Sequence, residues 1–207
     1  MANFSASTSD AASAAPGPDP LVVLNTWYEE ARLSGAPLPD AMTLATATGD
    51  GRPSARIVLF KGILRGGIFF VTNYGSRKAQ ELDANPRAAL VMHFAAAERQ
   101  VRVEGRVERS SEAESEAYFA SRPRGSQLGA WASPQSQPIA SRAELEQRTR
   151  ELEARFADAP VPRPRDWGGY LVLPERIELW LGRPDRLHDR FVYSRREDGW
   201  SVQRLAP

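Results

Sequence analysis

Polar and apolar residues alternate along many short segments of the chain, and this pattern predicts a mainly β fold. Within residues 100–109, for example, three valines alternate with polar and charged residues, as in a strand that buries one face. The Asp50-Gly51 and Asp198-Gly199 pairs between such segments are typical of β-hairpins. The predicted strands cover residues 41–48, 54–61, 68–72, 88–94, 100–109, 169–173, 176–181, 188–194 and 200–205.

Helical signals interrupt the strands at five places. An apolar stripe with helical spacing starts at Leu21, and Ser111 and Ser141 are each followed three residues later by a glutamate, which is the spacing of a capping box. The predicted helices cover residues 21–35, 77–82, 111–121, 125–132 and 141–156. Many short antiparallel strands with a few inserted helices predict a mainly β, α+β fold, built as a small β-barrel. The chain has no Gly-x-Gly-x-x-Gly motif, which argues against a Rossmann domain.

Residues 1–20 differ in composition from the rest of the chain. They are rich in Ala, Ser and Pro and contain no Lys or Arg, which predicts a disordered tail and neither a secretory signal nor a transit peptide. No segment approaches the roughly 18 apolar residues of a membrane span. We therefore expect a cytoplasmic protein without membrane attachment, and one domain over residues 21–207.

Composition excludes several classes of chemistry. The chain has no cysteine, so disulfides, thiol nucleophiles and cysteine-bound metals are excluded. Its two histidines, His93 and His188, are far apart in sequence, so no metal site is predicted. The 27 basic and 26 acidic residues leave a net charge of +1, which argues against nucleic-acid binding. Redox chemistry in this chain would therefore need an organic cofactor.

The only two lysines lie in segments with the chemistry of phosphate sites. Lys61 ends a predicted strand that contains Arg56, and side-chain alternation puts these cations on opposite faces unless a bulge intervenes. Such an arrangement suits two different anions. Arg77 and Lys78 follow a polar loop that starts at Thr72 and lie at a predicted helix start, where amides and cations can hold a phosphate. The alternative is that these charges are simply solvated.

A second phosphate site is indicated near residue 120. Tyr118 and Arg122 lie four residues apart on one predicted helical face, with Ser126 just beyond. A phenol, a guanidinium and a hydroxyl at this spacing can converge on one phosphate. The alternative is a pair of side chains that only cover a surface.

The densest polar cluster near the end of the chain is that of Arg186, His188 and Arg190. Alternation puts all three on one face of a predicted extended segment. An imidazole beside guanidiniums is suited to contact a reacting centre near neutral pH. A charged edge strand is the alternative interpretation.

Taken together, residues 19–207 resemble the pyridoxamine 5′-phosphate oxidase family. Many long motifs occur in the order found in that family, which is more specific than any one of them. The matching segments are RIVLFK (56–61), TNYGSRK (72–78), ERQVRVEG (98–105), YFASRPRGS (118–126), GAWASPQS (129–136), WGGY (167–170), WLGRPDRLHDR (180–190) and RLAP (204–207).

The resemblance implies an FMN-binding split β-barrel that forms a homodimer, with FMN held at the interface. The implied cofactor-binding residues are Arg56, Ile57, Val58, Leu59, Phe60, Lys61, Val71, Thr72, Arg77, Lys78, Gln100, Gln135, Ser136, Trp180 and Arg190. The implied substrate-binding residues are Lys61, Tyr118, Arg122, Ser126, Arg186, Leu187 and His188, with Arg186 and His188 as the catalytic pair.

The resemblance also implies a reaction. Pyridoxamine or pyridoxine 5′-phosphate is oxidised to pyridoxal 5′-phosphate by hydride transfer to the flavin, and dioxygen is the final acceptor and gives hydrogen peroxide. The protein stacks the two rings and anchors each molecule by its phosphate. We therefore expect the cations of both phosphate sites and the catalytic pair to converge on one crevice.

Two other functions remain open. Family members commonly begin with an Arg-x-x-Tyr segment that closes over the substrate, whereas residues 1–20 contain neither Arg nor Tyr. A flavin-dependent oxidase of the same fold with a different aromatic substrate is therefore one alternative. The other is a non-catalytic carrier of FMN or pyridoxal phosphate, for which Arg186 and His188 would have no use.

Overall fold

The fold is a single antiparallel sheet with helices inserted between its strands. The computed structural model describes residues 15–157 and 159–207, and within them the sheet has nine strands in the order β2-β1-β5-β6-β7-β4-β3, with β8 between β7 and β9. The strands are β1 (Ala41–Ala47), β2 (Pro53–Leu59), β3 (Ile63–Leu64), β4 (Gly67–Asn73), β5 (Arg87–Phe94), β6 (Arg99–Arg109), β7 (Trp167–Leu181), β8 (Asp189–Arg196) and β9 (Gly199–Leu205). The helices are α1 (Pro20–Leu33), α2 (Arg77–Ala84), α3 (Glu112–Ala120), α4 (Arg124–Ala132) and α5 (Arg142–Phe156).

The sheet closes into a barrel where β2 ends. The Lys61 N–H donates to the Phe69 carbonyl and the Phe69 N–H donates to the Gly62 carbonyl, each over 2.9 Å. These bonds join the end of β2 to β4, so that six strands surround one apolar core. The core contains the completely buried side chains of Leu24, Met42, Leu44, Val101, Ile177 and Leu179. The predicted mainly β architecture, a split barrel with inserted helices, is confirmed.

The prediction of separate strands at 169–173 and 176–181 is wrong, because both belong to β7. Strand β6 pairs with β7 along its whole length, but the register shifts so that Gly105 faces Pro174 and Glu104 faces Arg176. Glu175 is therefore the extra residue of a β-bulge, which interrupts the alternation that the sequence pattern depends on. The half of β7 before the bulge pairs with β4, and the half after it pairs with β8.

The helices start where the sequence predicts. Ser111 and Glu114 form the complete capping box of α3. At α5 the Ser141 hydroxyl accepts from the Glu144 N–H, as predicted, but the Glu144 carboxylate accepts from the Ala140 N–H instead of the Ser141 N–H. Helices α3, α4 and α5 pack on a second apolar cluster, whose buried members are Phe119, Leu128, Phe156, Val161 and Trp167.

The predicted tail lies mostly outside the described residues, since only its last six residues are described. These six contact the domain: the Tyr193 hydroxyl donates to the Gly17 carbonyl over 2.7 Å, and Asp19 caps α1 by accepting from the Leu21 N–H. No helix in the described part of the chain is long and apolar enough to cross a membrane.

The bulge gives a stability prediction at Gly105. A Cβ at this position would lie 2.0 Å from the Leu173 carbonyl oxygen, so Gly105→Ala should destabilise the protein by about 3 kcal/mol through overpacking. Urea unfolding measures this change. The control is Gly125→Ala in α4, where a Cβ meets nothing within 4 Å and should stabilise the helix by up to about 1 kcal/mol. Equal stability of the two variants would contradict the prediction.

Candidate functional site

The main cavity lies between β2, β4, α3 and α4 and has a volume of about 600 Å³. Apolar side chains of β2 form one wall, and exposed Ile57 and Leu59 belong to it. Phe60, predicted with them, points into the core and packs edge-on against Tyr28. The predicted site residues that line this cavity are Ile57, Val58, Leu59, Lys61, Val71, Thr72, Lys78, Tyr118, Arg122, Ser126 and Gln135.

Lys78 is a buried cation at the floor of this cavity. Its ammonium donates to the Thr72 hydroxyl and the Ser76 hydroxyl, each over 3.1 Å, and to the Gln135 side-chain carbonyl over 3.2 Å. No ion pair in residues 15–157 and 159–207 includes it. Burial, together with the nearby Arg56 charge, lowers the pKa of Lys78 to about 8. All three acceptors are neutral, so an anion is the partner that its charge lacks.

A second cavity, of about 360 Å³, adjoins the first and shares Ile57, Lys78 and Gln135 with it. Arg56, Arg77 and Ser136 complete its predicted lining. Ser136 has a φ of 68°, a left-handed conformation that is uncommon for a non-glycine residue. Three cations around one small cavity are suited to a phosphate.

Glu81, which the sequence analysis missed, organises these cations. Its carboxylate accepts from the Arg56 guanidinium over 3.0 Å and from the Arg77 guanidinium over 2.8 Å, and also from the hydroxyls of Thr46 and Ser54. Burial opposes ionisation of Glu81, but these hydrogen bonds outweigh burial and lower its pKa to about 2. The spacing of Arg77 and Glu81, four residues apart on a helix, is the signal that could have found it.

Arg122 supplies the second anion site, on the other side of the main cavity. Its guanidinium lies 4.6 Å from the centre of the Trp167 ring, and burial lowers its pKa. Among the buried side-chain nitrogens and oxygens of the described residues, its Nη1 is the one atom without a hydrogen-bond partner. A partly buried guanidinium with one buried, unpaired nitrogen beside Tyr118 and Ser126 fits an incoming phosphate.

Lys61 and Arg56 line different cavities, as side-chain alternation predicts. Lys61 faces the main cavity, where its ammonium pairs with the Asp40 carboxylate over 3.0 Å. Asp40 comes just before β1, and no local pattern signals this contact, which joins residues 21 positions apart. The two cations are therefore available to two different anions.

The remaining predicted site residues form a second group on β6, β7 and β8. Gln100 faces Trp180 across β6 and β7, and Trp180 faces Arg190 across β7 and β8. The His188 ring lies against the Trp180 ring, with centroids 4.5 Å apart, and its Nδ1 accepts from the Arg183 N–H. Arg190 pairs with the buried Glu178 over 2.8 Å.

The prediction of an extended segment through Arg186, His188 and Arg190 is wrong. Residues Pro184–Arg186 form a 3₁₀ turn, and β8 starts only at Asp189. Asp185 and Arg186 have φ angles of 58° and 62°, which interrupt side-chain alternation. Arg186 and Leu187 are exposed on this turn.

The single chain does not bring all predicted residues into one crevice. Gln100, Trp180, Arg186, His188 and Arg190 line neither of the two adjoining cavities. The cations of the two phosphate sites do converge, because the adjoining cavities share Lys78. No group of three or more His, Asp or Glu among the described residues is placed to hold a metal ion.

A split barrel with two adjoining cation-lined cavities is the kind of structure that suits a protein that binds phosphorylated small molecules. Two family models match the chain: pyridoxamine 5′-phosphate oxidase over residues 30–156, and the pyridoxine 5′-phosphate oxidase C-terminal dimerisation region over residues 167–207. The chain therefore belongs to the pyridoxamine 5′-phosphate oxidase family. Membership assigns it to the flavin-dependent oxidoreductases, as the sequence resemblance implies.

Curated relatives and a solved structure agree with this assignment. A Rubrobacter xylanophilus protein named pyridoxine/pyridoxamine 5′-phosphate oxidase is 60% identical over 190 residues, covering 92% of this chain and 88% of that protein. A Burkholderia vietnamiensis protein of the same name is 53% identical over 208 residues, covering 99% and 96%. PhzG from Burkholderia lata, solved in complex with tetrahydrophenazine-1-carboxylic acid, matches with a TM-score of 0.87 and 31% identity over 93% of this chain and 94% of that one.

Lys78 gives a pH prediction. Its folded pKa of about 8 lies below the ordinary value of 10.5. Burying the ammonium therefore destabilises the fold fully below about pH 8, and this cost is relieved as the pH rises from about 8 to 10.5, where the folded state has lost the proton that the unfolded state still binds. The stability of the wild type relative to Lys78→Met should therefore increase by about 2 kcal/mol between pH 7 and pH 10, as measured by urea unfolding.

The control for this titration is Arg77→Met, because arginine stays charged over the same range. The stability difference between wild type and Arg77→Met should be independent of pH from 7 to 10. A constant difference for Lys78→Met as well would show that burial does not lower the Lys78 pKa.

Proposed function

We propose that the chain is an FMN-dependent oxidase that converts pyridoxamine or pyridoxine 5′-phosphate to pyridoxal 5′-phosphate. Dioxygen is the acceptor and hydrogen peroxide the product. The observation that carries the proposal is the pair of adjoining cavities, each with its own cations, since one phosphorylated ligand needs only one such site. The names of the relatives that are 53–60% identical support the same substrate.

The cavity around Arg56, Arg77 and Lys78 is assigned to the FMN phosphate. Three cations and one carboxylate, Glu81, give this site a net charge of +2, which complements a phosphate dianion. The Thr72 hydroxyl and the loop at Gln135 and Ser136 add polar groups at its edge. Exposed Ile57 and Leu59 offer an apolar wall of the kind that an aromatic ring system needs.

Lys61, Tyr118, Arg122 and Ser126 are assigned to the substrate phosphate. These side chains line one cavity, and the unpaired Nη1 of Arg122 provides a donor that a phosphate oxygen can accept from. The arrangement anchors the substrate by its phosphate and leaves its ring free to stack on the flavin. When bound, the flavin supplies the hydride acceptor for the exocyclic carbon of the substrate.

A second copy of the chain is proposed to complete each site. Trp167 lines the main cavity, whereas Trp180 lies 13 positions further along the bulged strand β7, and neither cavity is lined by Trp180, His188 or Arg190. One chain therefore separates its phosphate cavities from the group around Trp180, His188 and Arg190. That group belongs to the segment matched by the dimerisation-region model. In a homodimer with FMN at the interface, Arg186 and His188 of one subunit would reach the substrate held by the other.

The competing function is an oxidase for another aromatic substrate. The likeness to PhzG, which was solved with tetrahydrophenazine-1-carboxylic acid, keeps this possibility open. The unpaired donor of Arg122 beside Tyr118 and Lys61 favours the phosphorylated pyridine, because an unphosphorylated ring would leave those groups unused. A non-catalytic carrier has less support, because the relatives named as oxidases cover nearly the whole chain.

Turnover with three candidate substrates tests the proposal. Protein reconstituted with FMN should convert pyridoxamine 5′-phosphate to pyridoxal 5′-phosphate with one equivalent of hydrogen peroxide. Unphosphorylated pyridoxamine should have a kcat/KM at least 100-fold lower, because it lacks the anchoring phosphate. Preferential oxidation of tetrahydrophenazine-1-carboxylic acid would favour the competing function, and tight binding of FMN without flavin bleaching under anaerobic conditions would favour a carrier.

Two arginine variants test the assignment of the two phosphate sites. Arg122→Met should raise the KM for pyridoxamine 5′-phosphate at least tenfold and leave the FMN dissociation constant unchanged, because its guanidinium faces the substrate cavity only. Arg56→Met should do the opposite: weaken FMN at least tenfold and leave KM unchanged when FMN is saturating.

Arg150→Met serves as the matched control for both variants, because Arg150 is exposed on α5. It should change neither constant. Parallel changes in KM and FMN affinity in Arg122→Met would contradict the division into two sites.

A further inference from the structure

Glu178 is a buried carboxylate near the end of β7, and its partners are two guanidiniums. The residue is 4% exposed, and its carboxylate accepts from Arg190 Nε over 2.8 Å and from Arg190 Nη2 over 3.2 Å. Arg102, directly opposite on β6, donates to the same carboxylate over 3.3 Å. Burying a carboxylate destabilises a fold unless the charge is paired. The pairs of Glu178 link β7 to Arg102 on β6 and to Arg190 on β8.

The two bonds to Glu178 fix the plane and direction of the Arg190 guanidinium. A third bond, from Arg190 Nη1 to the Ala206 carbonyl over 3.0 Å, ties it to the end of the chain. A guanidinium has five N–H donors, so these three bonds leave two donors, one on each terminal nitrogen. These two donors belong to Arg190, which is the register partner of Trp180 on the neighbouring strand.

We propose that Glu178 is a positioning residue for the flavin, acting through Arg190. Its carboxylate fixes the Arg190 guanidinium in a bidentate geometry and presents the two remaining donors of Arg190 to the cofactor. The inference rests on the proposed function and on the sequence resemblance, which implies that Arg190 binds the flavin. Glu178 itself need not contact the cofactor, since its carboxylate oxygens are already occupied by guanidiniums.

A double-mutant cycle on FMN binding tests the inference in the full-length protein. Glu178→Gln keeps the shape of the side chain but loses the charge and one acceptor, and should raise the FMN dissociation constant about tenfold, as measured by quenching of flavin fluorescence. Arg190→Ala should weaken FMN at least as much. Because Glu178 acts through Arg190, Glu178→Gln should have no further effect in the Arg190→Ala background.

Two other variants separate positioning from a general loss of structure. Glu104→Gln makes the same change at an exposed residue of β6 that also pairs with Arg102, and it should leave FMN affinity unchanged. Arg190→Lys keeps the positive charge but cannot form the bidentate pair, so it should weaken FMN as much as Glu178→Gln. This second variant tests the inference even where Glu178→Gln folds poorly, which thermal unfolding would reveal.

Several results would overturn the inference. Additive effects in the cycle would mean that Glu178 acts independently of Arg190, and unchanged FMN affinity in Glu178→Gln or Arg190→Lys would mean that the bidentate pair has no role in binding. If Arg190→Ala bound FMN like the wild type, Arg190 would not contact the flavin and Glu178 could not act through it. Failure of the proposed function is recognised separately: if the cofactor assignment fails, the wild type does not bind FMN at all, and if only the substrate assignment fails, FMN binding and this cycle are unaffected.

Discussion

The site depends on an excess of positive charge, with Lys78 buried, that the protein itself does not neutralise. Arg56 and Arg77 share a single carboxylate, Glu81, while Lys78 contacts neutral oxygens only. Desolvated charge of this kind destabilises a fold unless something compensates it. The barrel strands and α2 hold the cations close together. A bound anion would replace the hydration that the cations lose on burial with ion pairs and hydrogen bonds. The cavity is therefore arranged for a ligand with at least two negative charges.

Strand geometry explains why there are two such cavities. Successive residues of β2 point to opposite sides, so Arg56 faces the cavity near α2, whereas Leu59 and Lys61 face the main cavity. Residues only five positions apart can thus serve two ligands that lie side by side. The shared lining residues, Ile57, Lys78 and Gln135, keep the two cavities adjacent.

Sequence periodicity predicted the elements well where the signal is local. The alternation in β6 and the capping box at Ser111 depend on residues within a few positions of each other, and both are present in the structure. The pairing of Glu81 with Arg56 joins residues 25 positions apart, and no local pattern contains it. The bulge opposite Gly105 and the left-handed turn at Arg186 were missed for a related reason, because each breaks the regular alternation on which the prediction rested.

The long strand β7 runs from the main cavity at one end to the group around Trp180 and Arg190 at the other. Its first residue, Trp167, supports the guanidinium of Arg122, and its far end carries Glu178 and Trp180 beside Arg190. Because Trp180 and Arg190 line neither cavity of their own chain, we propose that a ligand in the main cavity meets the corresponding group of another copy of the chain. In a two-fold assembly there are two equivalent sites, and each would combine the cavities of one copy with the Trp180 group of the other. Dimer formation would then be required for catalysis and would not only stabilise the protein. One chain alone would bind the two phosphates but would lack the residues proposed to contact the reacting carbon of the substrate.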